Sequence, residues 1–199
     1  MRSILCAAVV AIALCSAACQ EPHRSTTETP ATSVADKPFV ADGKIDFDLD
    51  GGAYEIKAGA DNHIRVAVSG NPGNVKVDVA VDGSRAGVKI KDTPHSNFHA
   101  IVEVPATADV VVRLSGGELK VGRITGNKDV ESYGGNVQIS IGDPNDYAHV
   151  DAAVKAGEID ARPFGGSKSG LMQEFNWSGS GKHTLRAHLG AGNLVLGGQ

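Results

Sequence analysis

The stretches LSGGELKV (residues 114–121), SYGGNVQI (132–139), VKAGEIDA (154–161) and LGAGNLVL (189–196) align without gaps, and LDGGAYEI (49–56) fits the same frame. Each copy has a glycine at its fourth position, then a residue free to be polar, a bulky residue, a spacer and another core-type residue. Apolar side chains two positions apart describe a strand with one buried face. The glycine marks a corner that needs positive φ or the close approach of a neighbouring backbone. One copy cannot cover its own apolar face, whereas stacked copies can, so the pattern predicts the rungs of a repeat protein. Leu119, Val137, Ile159 and Leu194 are expected to form one core column, with Val121, Ile139, Ala161 and Leu196 in the next. Each buried aliphatic at these positions would contribute about 1.5–3 kcal/mol.

The corner glycines Gly117, Gly135, Gly157 and Gly192 read as successive rungs, the last interval being lengthened by an insertion. If rungs stack in chain order, the residues after the glycines alternate Glu118, Asn136, Glu158, Asn193, which keeps the two glutamates apart.

The remainder of the chain carries the same strand chemistry. Ile45, Phe47 and Leu49 alternate with Asp46, Asp48 and Asp50; Ile64, Val66 and Val68 alternate with polar or small residues; Val75, Val77, Val79 and Val81 alternate with Lys76, Asp78 and Ala80. Period two with β-branched residues means half-buried strands, and helix signals are absent. Glycine is abundant (25 of 199), yet with the eight prolines it stays below the roughly 25–30 % that marks disordered chains. The expectation is an all-β, single-domain β-solenoid over residues 38–199, with a β-sandwich as the alternative.

Residues 1–20, MRSILCAAVVAIALCSAACQ, have a basic start, an apolar stretch at 4–14 and small residues running into Cys19. The apolar stretch is far below the roughly 20 residues a spanning helix needs, so residues 1–18 read as an export signal peptide. Ser16, Ala17 and Ala18 before Cys19 resemble the lipobox of bacterial lipoproteins, with Ser16 where that family usually has leucine. The resemblance implies lipidation of Cys19 after cleavage and, with Gln20 in place of an inner-membrane retention aspartate, an outer-membrane location. The alternative is a secreted or periplasmic soluble protein. All three cysteines lie in the first 19 residues, so cleavage leaves one thiol and no intramolecular disulfide. Residues 19–37, rich in Thr, Ser and Pro, read as a disordered tether. The formal net charge is −4, which argues against nucleic acid as a partner and against electrostatic adhesion to anionic lipid.

The run VEVPATADVVVRLSGGELKVGRITGNKDVESYGGNVQI (residues 102–139) resembles the "putative adhesin" family of exported bacterial β-solenoid domains, related to the head GIN and auto-transporter adhesin domain. The resemblance spans roughly residues 40–196 and is strongest from residue 101 onward. It implies a non-enzymatic envelope module with no cofactor and no catalytic residues to carry over. The chain departs from that pattern by inserting GGSKSGLMQEFNWSGSGKH (165–183), expected either to cap the stack or to present Phe175 and Trp177 to a partner.

Candidate chemistry is sparse. Asp46, Asp48, Asp50 and Gly51 match the opening of a calcium loop, but Lys57 stands where the bidentate glutamate is required. Asp143, Asn145 and Asp146 sit in a Pro-containing turn. His95 and His99 have a helical zinc spacing within a β-type context, and His183 and His188 fall on opposite strand faces, so no metal is expected. Asn176-Trp177-Ser178 fits a glycosylation acceptor, which a bacterial-type export signal leaves idle. No Gly-x-Ser-x-Gly elbow occurs. The enzymatic rival is polysaccharide cleavage by Glu118 and Glu158. Stacked in chain order they would stand two rungs, or about 9–10 Å, apart, near the roughly 6.5–9.5 Å of inverting glycosidases. Five Phe, three Tyr and one Trp are few for gripping sugars. The function expected is an envelope-tethered interaction or scaffold module, held to the membrane through its N-terminal lipid, with an envelope protein or polysaccharide as partner; the alternative is a soluble periplasmic ligand or polysaccharide binder.

Overall fold

The computed structural model describes residues 31–197. Within them the protein is all-β and single-domain. The strands are β1 (Thr32–Pro38), β2 (Lys44–Leu49), β3 (Gly52–Ala58), β4 (His63–Gly70), β5 (Lys76–Asp82), β6 (Arg85–Lys91) and β7 (Phe98–Val104). They continue as β8 (Asp109–Leu114), β9 (Gly117–Val121), β10 (Lys128–Ser132), β11 (Gly135–Ile139), β12 (Tyr147–Ala161), β13 (Gly166–Ser178) and β14 (His183–Leu196). Two single 3₁₀ turns, Pro144–Asp146 and Arg162–Phe164, interrupt them.

Five strand-corner-strand rungs build the body: β2–β3, β8–β9, β10–β11, and the long strands β14 and β12, each bent at its own glycine. Before the corners, β6, β2, β8, β10, β14 and β12 pair in parallel. After the corners, β7, β3, β9, β11, β14 and β12 do the same. These parallel ladders are the local geometry a solenoid requires. The edges close differently, through antiparallel pairs: β5 on β6, β1 and β4 beside β7, and β13 on β12. Inward side chains of both ladders merge into one core cluster, with Leu119, Val137, Ile159 and Leu194 in register and buried, and Val121, Ile139, Ala161 and Leu196 behind them.

The corners take the expected conformation. Gly117, Gly135, Gly157 and Gly192 have φ of 112°, 111°, 145° and 125°, and they stack directly on one another, with Gly52 below Gly117. A Cβ on Gly135 would run into the carbonyl oxygen of Gly117.

Two expectations are corrected. First, the rungs do not stack in chain order. β14, the last strand, lies between β11 and β12, so the residues after the glycines run Glu118, Asn136, Asn193, Glu158. The physical reason is the insertion. β13 folds back antiparallel on the outer edge of β12, and the glycine-rich loop that follows crosses the start of β12. Gly179 and Gly181 donate to the carbonyls of Ala148 and Tyr147 at 3.0 and 3.1 Å, and Lys182 donates to that of Asp146 at 3.0 Å. That crossing delivers β14 to the inner edge of β12. Gly181 packs against the backbone of Asp146 and Tyr147, where a Cβ would collide.

Second, the sheet begins at Thr32, inside the segment assigned to the tether. β1 buries little, and composition reports burial rather than pairing. It is held by its ladder to β4 and by Asp36, which accepts from Arg65 at 3.1 Å and contacts His63 at 2.6 Å. Residues 1–30, including the stretch read as an export signal and Cys19, lie outside the described residues.

Lys128 is the anomaly of the core, only 2 % exposed. Its Nζ donates to the Gly126 carbonyl at 3.0 Å and to the Tyr147 hydroxyl at 3.1 Å. Burial lowers its pKa to about 8 against the opposing pull of Asp109. Burial pushes the Tyr147 hydroxyl up to about 12, and burial, with nearby Lys182 and Lys128, lowers the pKa of His183.

Two outcomes are expected. Gly135→Ala should cost at least about 2 kcal/mol in urea unfolding through strain and backbone collision, while Gly142→Ala, with open space around it, should stay within about 0.5 kcal/mol. Because folding depresses the Lys128 pKa, the unfolded chain binds more protons between the two pKa values. Stability should therefore rise from pH 8 to pH 10 by on the order of 1–2 kcal/mol. Lys128→Met should remove that rise.

Candidate functional site

On the outer face of the first ladder, alternation projects every second residue to solvent, and the parallel register aligns these residues into rows. One row runs Lys89, Asp48, Arg113, Glu131, His188 across β6, β2, β8, β10 and β14. Its neighbour runs Asp46, Val111, Asp129, Arg186, Asp151 across β2, β8, β10, β14 and β12. Opposite charges face each other along most of these rows, Val111 being the uncharged break in the second, and the rows lock together. Arg113 pairs with Asp129 at 3.1 Å and Glu131 at 3.2 Å. Arg186 bonds Asp129 at 3.1 Å and also engages Glu131 and His188. His188 Nε2 meets Asp151 at 3.0 Å. The hydrogen bonds to Glu131 and Asp129 hold the Arg186 proton more firmly than usual, against burial.

Where this face reaches the corners, an open cavity of about 540 Å³ is lined by Asp48, Arg113, Glu131, Tyr133, Lys155 and His188, among others. The second ladder carries a shallower groove of about 300 Å³ over Glu118, Asn136 and Asn193. There Asn193 donates to the Asn136 side-chain oxygen at 3.2 Å. Glu118 and Glu158 are three rungs apart, about 14 Å at the usual strand spacing, which is beyond the roughly 6.5–9.5 Å of a paired-carboxylate glycosidase.

Asp48 and Asp50 both accept from Lys91, at 2.8 and 3.0 Å, and Asp50 also takes the Asp92 amide at 2.9 Å. An ammonium thus occupies the place where the calcium motif would have put a cation. Asp143 accepts the Asn145 amide at 2.9 Å and caps the Pro144–Asp146 turn. His99 lies beside Ser69, His188 is bound into the charge rows, and His183 lies near Lys182 and Lys128, so the histidines do not converge. No group of three or more His, Cys, Asp or Glu suited to a metal occurs among the described residues.

Phe175 and Trp177 lie on β13, half-buried against the core. The Trp177 ring stands 4.9 Å from that of Phe164. The exposed apolar residues of the insertion are Leu171 and Met172, 75 % and 71 % exposed. Tyr133, 86 % exposed, and Lys155 were not singled out from sequence. The signal was present, since both fall just before the corner, where the other copies have Asp50, Ser115 and Gly190. Arg186, which joins the rows, could not be found without the strand order.

No protein-family model and no curated protein sequence matches the chain. Among solved structures, a "putative cell adhesion protein" from Clostridium sporogenes is similar at 13 % identity with a TM-score of 0.53, over 85 % of this chain and 100 % of that one. This likeness shows the fold alone. A "putative adhesin" from Parabacteroides distasonis is 15 % identical over 84 % of this chain and 70 % of that one, at a TM-score of 0.28, too low to carry an argument.

Arg186→Gln should cost about 1 kcal/mol at low ionic strength, since it leaves Asp129 and Glu131 with one cation between them. Urea titrations should show that cost shrinking in roughly 0.5 M salt, because the shorter Debye length screens the half-exposed rows.

Proposed function

We propose that the chain is a non-enzymatic interaction or scaffold module of the cell envelope, an adhesin-like lipoprotein tethered through Cys19 and residues 20–31. The observation that carries this reading is an outer face whose charged groups are spent on one another. Arg113, Arg186, Asp129, Glu131, His188 and Asp151 form a continuous lattice, which builds a rigid surface rather than poised acid-base pairs. The fold likeness to the Clostridium protein, itself named a "putative cell adhesion protein", agrees with that reading. The reading assigns anchoring to lipid on Cys19, on the strength of the small residues Ser16, Ala17 and Ala18 that lead into it. About 0.8 kcal/mol per buried CH₂ over two or more acyl chains suffices for stable anchoring. The tether directs the domain to the periplasm or the exterior, on the outer membrane. A soluble polysaccharide binder is the second reading, favoured by the open cavity beside Tyr133.

Growth with a fatty-acid analogue should label the wild-type protein and leave it in the membrane fraction, while Cys19→Ala should be unlabelled and soluble. Cross-linking in whole cells should give discrete adducts with envelope components for the wild type. A wild-type protein that is unlabelled, soluble and free of adducts would contradict the proposal.

A further inference from the structure

Tyr133 is the most exposed of the large apolar side chains among the described residues, and its setting makes that exposure usable. The ladder register places Ser115 beside it on one flank and Gly190 on the other. Neither neighbour has the bulk to cover an aromatic ring. One corner beyond Gly190 stands Lys155, exposed and without an ion-pair partner among the described residues. Two rungs separate Tyr133 from Lys155, about 9–10 Å at the strand spacing.

The cavity between them is floored by polar groups that cannot leave. Asp48 is held by Lys91, Glu131 by Arg113 and Arg186, and His188 by Asp151. The carboxylates of Asp48 and Glu131 keep spare lone pairs for ligand hydroxyls, whereas both ring nitrogens of His188 are taken by Arg186 and Asp151. A site of this kind offers a flat apolar face, a preorganised polar floor and one uncompensated cation. The matching ligand has an apolar ring face, many hydroxyls and a carboxylate one unit further on.

We propose that this groove binds a segment of acidic glycan, one sugar stacked on Tyr133 and the carboxylate of a neighbouring sugar paired with Lys155. The proposal deepens the reading of the chain as a binding module and rests on it. The span of two rungs is close to that of a disaccharide. Stacking on Tyr133 supplies affinity, and Lys155 supplies preference for acidic over neutral chains. The charge rows contribute hydrogen bonds and hold the corner rigid, which lowers the ordering cost of binding.

The test uses the full chain with two probes, trigalacturonate and a neutral galactose trisaccharide, followed by isothermal titration and by NMR shifts. Trigalacturonate should bind more tightly than the neutral chain. Tyr133→Ala should weaken both by about tenfold or more, and Lys155→Gln should weaken only the acidic probe, removing the preference. Both side chains are exposed, so both variants should keep the wild-type urea midpoint, which separates lost binding from lost fold. Failure of trigalacturonate to bind the wild type, equal affinity for the two probes, or binding unchanged in both variants would overturn the proposal. Envelope adducts and lipid labelling that persist in such a case would leave the broader binding-module reading standing.

Discussion

At each corner the glycine of one rung rests against the backbone of the next, so closely that a Cβ on Gly117, Gly135, Gly157 or Gly192 would meet a carbonyl oxygen. This approach sets the register of both ladders at once, because the strands on either side of the corner are continuous with it. Once Gly135 is seated between Gly117 and Gly192, Val137 must fall between Leu119 and Leu194, and Glu131 between Arg113 and His188. Core columns and surface rows are therefore two consequences of one backbone contact. A side chain at the corner would strain φ and part the rungs, loosening the packing within and the ion pairs without.

The position of β14 is what makes the surface coherent. With β14 between β11 and β12, Arg186 reaches both Asp129 and Glu131 on β10, while His188 reaches Asp151 on β12. In chain order β12 would lie next to β10, setting Asp151 beside Asp129 with no arginine between them. On the second ladder the same placement makes Asn136 and Asn193 neighbours, and their amides bond. The hairpin of β12 and β13 ends the stack in an antiparallel pair, and β5 on β6 does so at the far side. The antiparallel edges keep the parallel ladder from continuing into another chain with the same register.

The rungs were legible in the sequence because a close backbone contact leaves a one-letter trace: only glycine fits, and it recurs at the same place in each copy. Core columns were legible for a similar reason, since alternation reports burial directly. Strand order was not legible, because it depends on which edge of β12 the loop around Gly179 and Gly181 delivers the chain to, and no local pattern records an edge. β1 was missed because its stability comes from pairing and from Asp36 rather than from buried side chains. The candidate site was half visible. An aromatic at a corner position is unusual within the repeat, but Lys155 becomes its companion only when Gly190 is seen to lie between them. Phe175 and Trp177 drew attention as aromatics in a polar insertion, and their rings pack onto Phe164 and the core.

Strand order is the central claim, and cysteine cross-linking reads it directly. In a chain whose three native cysteines are replaced by alanine, the pair Asn136→Cys and Asn193→Cys lies on adjacent rungs in register, within the roughly 4.4–6.8 Å Cα separation a disulfide tolerates. The pair Asn136→Cys and Glu158→Cys lies two rungs apart, about 9–10 Å. Mild oxidation of the folded protein should close the 136–193 disulfide quantitatively and leave 136–158 open. Ready closure of 136–158 with 136–193 left reduced would place β12 against β11 and contradict the account.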